Sequence, residues 1–305
     1  MASEHNPRRP QQWRGRERGG GGRGAAAAPP LRAAAEERPH STPAPGEDWL
    51  VGPHAVEEAL RAGRRPLQYL LLARERAPSP RQSALAALAR ERGVAVRLEP
   101  RAVLDRAAAG VPHQGVMARG EARAVVELEE LMARAQAGRR WLVALDGIED
   151  PHNLGAILRS AAAAGAEGAI LLARRAAGLS AAVERIAAGA LEYLPVARVA
   201  NLAQALPRLQ QAGFWVYGLD AAAPKSIWET DFQPALVLVI GAEHHGLHRL
   251  IRERCDALCS IPMQPGERGG VASLNASVAA GIAFFELVRQ RAAKGGPDGN
   301  HATHH

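Results

Sequence analysis

The sequence predicts an α/β protein: a parallel-sheet domain, preceded by a smaller α/β domain and a disordered tail. Three observations carry the prediction. Short apolar runs alternate with helix-length segments from Trp141 to about Val288, a pattern that calls for crossover connections and a sheet covered on both faces. A second, shorter alternation occupies roughly 48–122, the size of a compact domain. Before it, residues 1–47 are mostly Arg, Gly, Ala and Pro, with too little apolar surface to offset chain entropy.

In that tail six arginines and one acid lie between Arg8 and Arg23, interrupted by Trp13 and the run Gly19 to Gly22. Two readings stand open: an RGG-like arm that tracks RNA backbone and stacks on bases, or a solvated segment without a role. Order begins at Trp49-Leu-Val-Gly. A helix pattern follows from His54 to Ala62, a strand at 67–72, a helix at 81–92, a strand at 94–98, a short helix from Arg101, and a closing segment from Val111 to Ala118. His113 and Gln114 in that segment are candidate RNA contacts or turn residues. His54 stands where a helix start needs only a polar neighbour.

From Gly120 to Arg140 there is no strand signal, and Val126 to Ala135 has helical periodicity suited to a bridge between domains. The domains are therefore expected at 48–122 and 123–292, with a disordered end at 293–305. The second begins with a strand at 141–145, followed by a helix at 154–164, strand 169–172, helix 181–188, strand 194–199, helix 202–212 and strand 214–218. The next strand, Ala235 to Ile240, runs into Gly241-Ala242-Glu243-His244-His245-Gly246. A glycine-bounded turn at the carboxyl end of a buried parallel strand is where open α/β sheets bind ligands. A polar helix (246–254), an apolar run (257–263), a loop rich in Gly and Pro, and an apolar helix opened by Ser273-Leu274-Asn275-Ala276-Ser277 complete the order.

Composition bounds the function. The chain has 305 residues, 47% hydrophobic and 23% charged, and no apolar run approaching the roughly 18 residues of a membrane span. Its amino terminus has no apolar segment after its charges, so no secretory signal is read and a cytoplasmic location is expected. Cys255 and Cys259 match no zinc spacing and are read as reduced thiols; no metal is expected. A net charge of +7 and a pI of about 10.3 suit an anionic partner such as nucleic acid. The basic residues are nearly all Arg, Lys225 and Lys294 being the only lysines. That skew fits genome composition as well as phosphate binding, so the charge carries little weight alone. No strand is followed by Gly-x-Gly-x-x-Gly, which disfavours a dinucleotide oxidoreductase.

Four segments together resemble the SpoU (TrmH) 2′-O-ribose RNA methyltransferases: Asn153-Leu-Gly155 with Arg159 six residues after the Asn, Gly241 to Gly246, Ile261-Pro-Met263, and Ser273 to Ser277. Gly52-Pro-His54 to Leu60 and His113 to Ala118 resemble the L30e-like RNA-binding domain that precedes the catalytic domain in many of these enzymes. The pairing is most similar to bacterial enzymes that methylate a guanosine ribose in the peptidyl-transferase loop of 23S rRNA. The resemblance implies a trefoil-knotted carboxyl-terminal part, a homodimer, and S-adenosyl-L-methionine held by Gly241, Ala242, Glu243, Ile261, Met263, Leu274 and Asn275. It implies Arg159 as the lead catalytic residue, with Asn153, Glu243, Ser273 and Asn275, and RNA contacts from His113, Gln114 and Arg159. From the residues alone, Asn153 is a helix cap, and Glu243 either meets a ligand or caps the helix after Gly246. The segment Gln264 to Gly270 looks longer than the family's usual loop. Methylation of tRNA or another rRNA site, and a non-catalytic RNA-binding assembly factor, remain the alternatives.

Overall fold

The computed structural model describes residues 46–74, 78–137, 141–174, 176–243, 245–263 and 273–294. The expected tail and carboxyl-terminal end fall almost wholly outside the described residues, as do His244 and the whole of the loop 264–270.

The first part of the chain runs β1 (Trp49–Val51), α1 (Pro53–Ala62), β2 (Leu67–Ala73), α2 (Pro80–Glu91), β3 (Ala95–Glu99), α3 (Arg101–Ala108) and β4 (Val116–Gly120). Local chemistry sets the helix ends. Pro53 opens α1 with its φ already helical, and Gly63 closes it at φ 62°. Ser79 and Gln82 form a reciprocal capping box at α2: Ser79 Oγ accepts from the Gln82 N–H at 3.2 Å, and the Ser79 N–H donates to Gln82 Oε1 at 3.1 Å. The four strands make one mixed sheet in the order β1-β4-β2-β3, with only β2 and β3 parallel. Leu50, Val56, Leu60, Leu70, Leu72 and Leu85 fill its core.

After α4 (Leu128–Ala137) come β5 (Trp141–Asp146), α5 (Pro151–Ala163), β6 (Gly168–Leu172), α6 (Ala181–Ala187), β7 (Val196–Val199) and α7 (Leu202–Gln211). Then follow β8 (Trp215–Leu219), β9 (Leu236–Gly241), α8 (Arg249–Arg254), β10 (Ala257–Cys259) and α9 (Ala276–Ala293). These six strands pair in parallel throughout, in the order β10-β8-β9-β5-β6-β7. Strand alternation sends Trp141, Val143 and Leu145 to the face covered by α5, α6 and α9, and Leu142 and Ala144 to the face covered by α4, α7 and α8. Trp141 meets Phe284 of α9 with ring centroids 5.0 Å apart, which anchors the last helix over β5. The order reverses between β5 and β9, so the carboxyl ends of those two strands, where Asp146 pairs with Gly241, form the crevice that such sheets use for ligands.

Besides the start of α5, described below, three boundaries differ notably from the sequence reading. The strand expected from Leu194 begins at Val196, because Ala190–Glu192 form a 3-10 turn. The helix expected from Gly246 begins at Arg249, because Gly246, at φ 60°, belongs to the turn after β9. The apolar run from Ala257 is a strand only to Cys259, where its pairing with β8 ends.

Candidate active site

Asp146 ends β5 as a buried carboxylate. It accepts from the His248 backbone N–H at 2.8 Å and from His248 Nδ1 at 3.0 Å, which ties the chain after β9 to the end of β5. Between them Ala242 and Gly246 exchange two backbone hydrogen bonds, of 3.0 and 2.8 Å. A Cβ added to Gly241 would stand 2.2 Å from the Gly246 carbonyl carbon, so this turn closes only with glycine there.

The turn delivers Glu243 to two asparagines. Asn153 Nδ2 donates to Glu243 Oε2 at 3.1 Å. Asn275 Nδ2 donates to Glu243 Oε1 at 3.1 Å and to Asn153 Oδ1 at 2.9 Å. Asn275 Oδ1 is meanwhile the cap of α9, accepting from the Ser277 N–H at 2.9 Å and the Val278 N–H at 3.3 Å. One local expectation is corrected here and one open alternative is closed. The cap of α5 is Asp150, which accepts from the His152 N–H at 2.9 Å; the helix starts at Pro151, leaving the buried Asn153 side chain free to bond across the site. Glu243 caps no helix, since α8 starts too late for it.

Behind this triangle lies a cavity of about 130 Å³. Gly241, Ala242, Glu243, Ile261, Met263, Ser273 and Leu274 line it, while Asn275 acts on it through Glu243. Apolar slots, exposed backbone and a carboxylate at the rim suit a flat heterocycle with a charged tail. Sequence reasoning missed Leu219, Asp220 and Ala221 in this wall. The available signal was a carboxylate directly after an apolar parallel strand. A larger groove of about 840 Å³ shares Asn153, Ala242 and Glu243 with this region and is walled by Arg174, Asn201, His245 and His248.

Arg159 stands elsewhere. Six residues beyond Asn153 on α5, it lies roughly 9 Å along the axis and about 240° around it. It is exposed and lines a separate cavity of about 280 Å³ with His54, Gln114 and Arg185. Gly155 of the same motif serves packing, because a Cβ there would be 2.7 Å from Ile186 Cβ on α6. His113 is corrected to a structural residue: it is buried, its Nε2 reaches Asp105 Oδ1 at 2.8 Å, and its Nδ1 accepts from the Gly115 N–H at 3.0 Å. Neither ring nitrogen is left for RNA. Burial pushes the thiols of Cys255 and Cys259 up to about 12, which makes them poor nucleophiles. Among the described residues no cluster of His, Cys, Asp and Glu could hold a metal ion, and no helix is long and apolar enough to cross a membrane.

The family model of the SpoU rRNA Methylase family matches residues 140–285, and that for RNA 2'-O ribose methyltransferase substrate binding matches 49–124. A Pseudomonas aeruginosa protein named 23S rRNA (guanosine-2'-O-)-methyltransferase RlmB is 44% identical over 245 residues, covering 79% of this chain and 96% of that protein. The chain belongs to the SpoU rRNA methylase family. This SpoU protein is also similar to the protein of the same name from Xylella fastidiosa, at 42% over 245 residues, 80% of this chain and 96% of the relative. Among solved structures it resembles the SpoU methyltransferase AviRb from Streptomyces viridochromogenes in complex with AdoMet, with a TM-score of 0.66 and 29% identity over 80% of this chain and 90% of that one. An AdoMet-bound rRNA methyltransferase from Sinorhizobium meliloti aligns with a TM-score of 0.64 at 28% identity, over 80% and 87% of the two chains.

Proposed function

We propose that this SpoU protein is an enzyme that methylates the 2′-hydroxyl of a guanosine ribose in 23S rRNA, in the peptidyl-transferase loop, with S-adenosyl-L-methionine as donor. The observation that carries the reading is the Asn153–Glu243–Asn275 triangle at the rim of the small cavity, in a chain related to enzymes named for that reaction. The lining of the cavity, which at about 130 Å³ takes only part of the donor, suits it: Ile261, Met263 and Leu274 would hold its adenine, and the Glu243 carboxylate would face its cationic end. When bound, the donor supplies a methyl group made electrophilic by the sulfonium.

The chain's own residues clamp and orient. Good attack geometry is worth on the order of 7 to 11 kcal/mol of barrier. Asn153, held by Asn275 and Glu243, and Ser273 form the polar wall beside the acceptor oxygen. Arg159 grips a phosphate of the target nucleotide; a guanidinium that stays protonated at any working pH is a poor general base, so the hydroxyl proton goes to phosphate or water. Gln114 adds an RNA contact.

The catalytic assembly is a homodimer in which Arg159 serves the partner's donor cavity. Its support is that Arg159 faces outward from its own, and that exposed Val278 and Phe285, with half-buried Ile282 between them, make one apolar stripe on α9. The four-stranded part is read as an L30e-like RNA-binding domain over 48–122, and 123–292 as a methyltransferase domain tied in a trefoil knot. Strand order supports the knot, since the chain must travel from β10 at the sheet edge back past β8 and β9 to seat α9 on α5. With a ribosomal substrate the enzyme works in the cytoplasm.

The test is transfer of labelled methyl to total RNA that lacks the modification, followed by mapping of the labelled ribose. Label on one 23S guanosine is expected; label on tRNA would move the substrate, and donor binding without transfer to any RNA would overturn the enzyme reading. Arg159→Ala should lower transfer at least about 100-fold with donor affinity unchanged, the pattern of a group that acts on the transition state.

A further inference from the structure

We propose that the cavity where α1 and the turn before β4 meet α5 and α6 is a binding site for a backbone phosphate of the RNA substrate, built jointly by the two family-matched segments. The inference rests on the reading above and names how the substrate is gripped.

The cavity, about 280 Å³, presents Arg159 from α5, Arg185 from α6, His54 from α1 and Gln114 from the turn, and no carboxylate lines it. Two guanidiniums from different elements thus share one concavity. Arg159 makes no hydrogen bond or ion pair among the described residues. Arg185 spends its Nε on the Pro112 carbonyl at 2.8 Å, which fixes the stem and leaves the terminal amino groups to point onward. An anion in this cavity would meet both guanidiniums with no carboxylate among the lining residues to compete for them.

The other two groups also present donors. His54 Nδ1 is 2.8 Å from Arg81 Nη2; a guanidinium only donates, so that nitrogen accepts and the proton sits on Nε2. Gln114 holds φ 51°, a left-handed conformation rare for a side chain of its kind, and Gly115 follows at φ 76°. Strain of this sort persists where it positions a group for function. A convergence of N–H donors matches phosphodiester oxygens. Because residues of both segments contribute, the phosphate would fix the register of the RNA between the domain that selects it and the domain that modifies it.

The test measures affinity of the full-length protein for a 23S rRNA fragment against salt concentration, for wild type, Arg185→Gln, Arg185→Lys and Gln114→Gly. Each lost phosphate contact lowers the slope of log K on log salt by about 0.7 to 0.9. Arg185→Gln should lose that much slope and about tenfold in affinity, with donor affinity unchanged, and Arg185→Lys should restore most of both. Gln114→Gly relieves the strained backbone, so its unfolding temperature should hold or rise while RNA affinity falls; a purely structural role would leave affinity intact. Wild-type slope and affinity in both Arg185→Gln and Gln114→Gly would overturn the inference; inorganic phosphate should compete with the RNA at constant ionic strength, and binding of inorganic phosphate that leaves RNA affinity unchanged would assign the cavity to a free anion and overturn it as well. Methyl transfer by the wild type is measured on the same RNA. Transfer with an unchanged slope in the variants defeats this inference alone, whereas a slope change without any wild-type transfer supports the phosphate site and defeats the enzyme reading.

Discussion

Asn275 fills two unrelated roles with one carboxamide. Its oxygen caps α9 while its nitrogen ties Glu243 to Asn153, so helix stability and site geometry depend on the same side chain. The two roles separate by substitution. Asn275→Ala should cost about 1 kcal/mol of stability from the lost cap, whereas Asn275→Ser keeps a capping oxygen and should unfold close to wild type. Donor affinity should fall in both, because neither residue can reach Glu243. Thermal unfolding paired with donor titration checks this; wild-type donor affinity in Asn275→Ser would mean that the triangle is incidental to the cavity.

At the scale of elements, α5 shows how a helix start can be read one turn late. Residues 151–153 are Pro-His-Asn, and an Asn before an apolar run is a good cap candidate. Asp150 wins because Pro151 is better placed at the first helical position, and the shift frees Asn153 from capping to bond with Glu243 and Asn275 in the candidate site. Asp150→Ala should therefore lower stability by about 1 kcal/mol, whereas Asn153→Ala should leave α5 capped and act on donor binding. Denaturant unfolding of the two variants distinguishes the roles, and a larger loss for Asn153→Ala would contradict the assignment. The turn at Gly241 is an element of the same kind, legible as a glycine turn although its close contact with Gly246 is not.

Across the molecule, the two sheets are joined by a buried charge network. Glu184, wholly buried, accepts from Arg65 Nη1 at 3.2 Å and from Arg123 Nε at 2.8 Å, and Arg123 Nη2 also meets Glu192 Oε1 at 2.5 Å. Burial pulls the Arg123 guanidinium down, and Glu184 and Glu192 outweigh it, so its pKa is raised overall. Arg123→Met would leave the buried Glu192 without its guanidinium and Glu184 with Arg65 alone, and should cost about 3 to 5 kcal/mol. An unfolding midpoint near wild type would show that other groups compensate. The exposed Phe285 belongs to this scale too. Phe285→Glu puts a charge in the apolar stripe of α9, and should turn a dimer into a monomer in sedimentation and abolish transfer if Arg159 acts across the interface. An unchanged dimer would locate the interface elsewhere.

The sequence by itself determined the order and type of the elements, because alternation of buried strand and helix is written in side-chain periodicity. It also pointed to the carboxyl end of β9 as the place for a candidate site, because glycine there marks close backbone approach. The resemblance to the SpoU enzymes supplied the residue set, most of which gathers at one cavity. Only the tertiary structure decided which side chains meet. Asn153, Glu243 and Asn275 converge through a sheet order that no local pattern encodes. Arg159 shares their motif and not their cavity, since six residues along a helix turn a side chain to another face. His113 and Gln114 are neighbours in sequence, yet one is consumed by Asp105 and Gly115 and the other opens onto Arg159. Periodicity fixes which face a residue shares with its own element; the partner across the core is chosen by long-range packing, and that choice exists only in the folded chain.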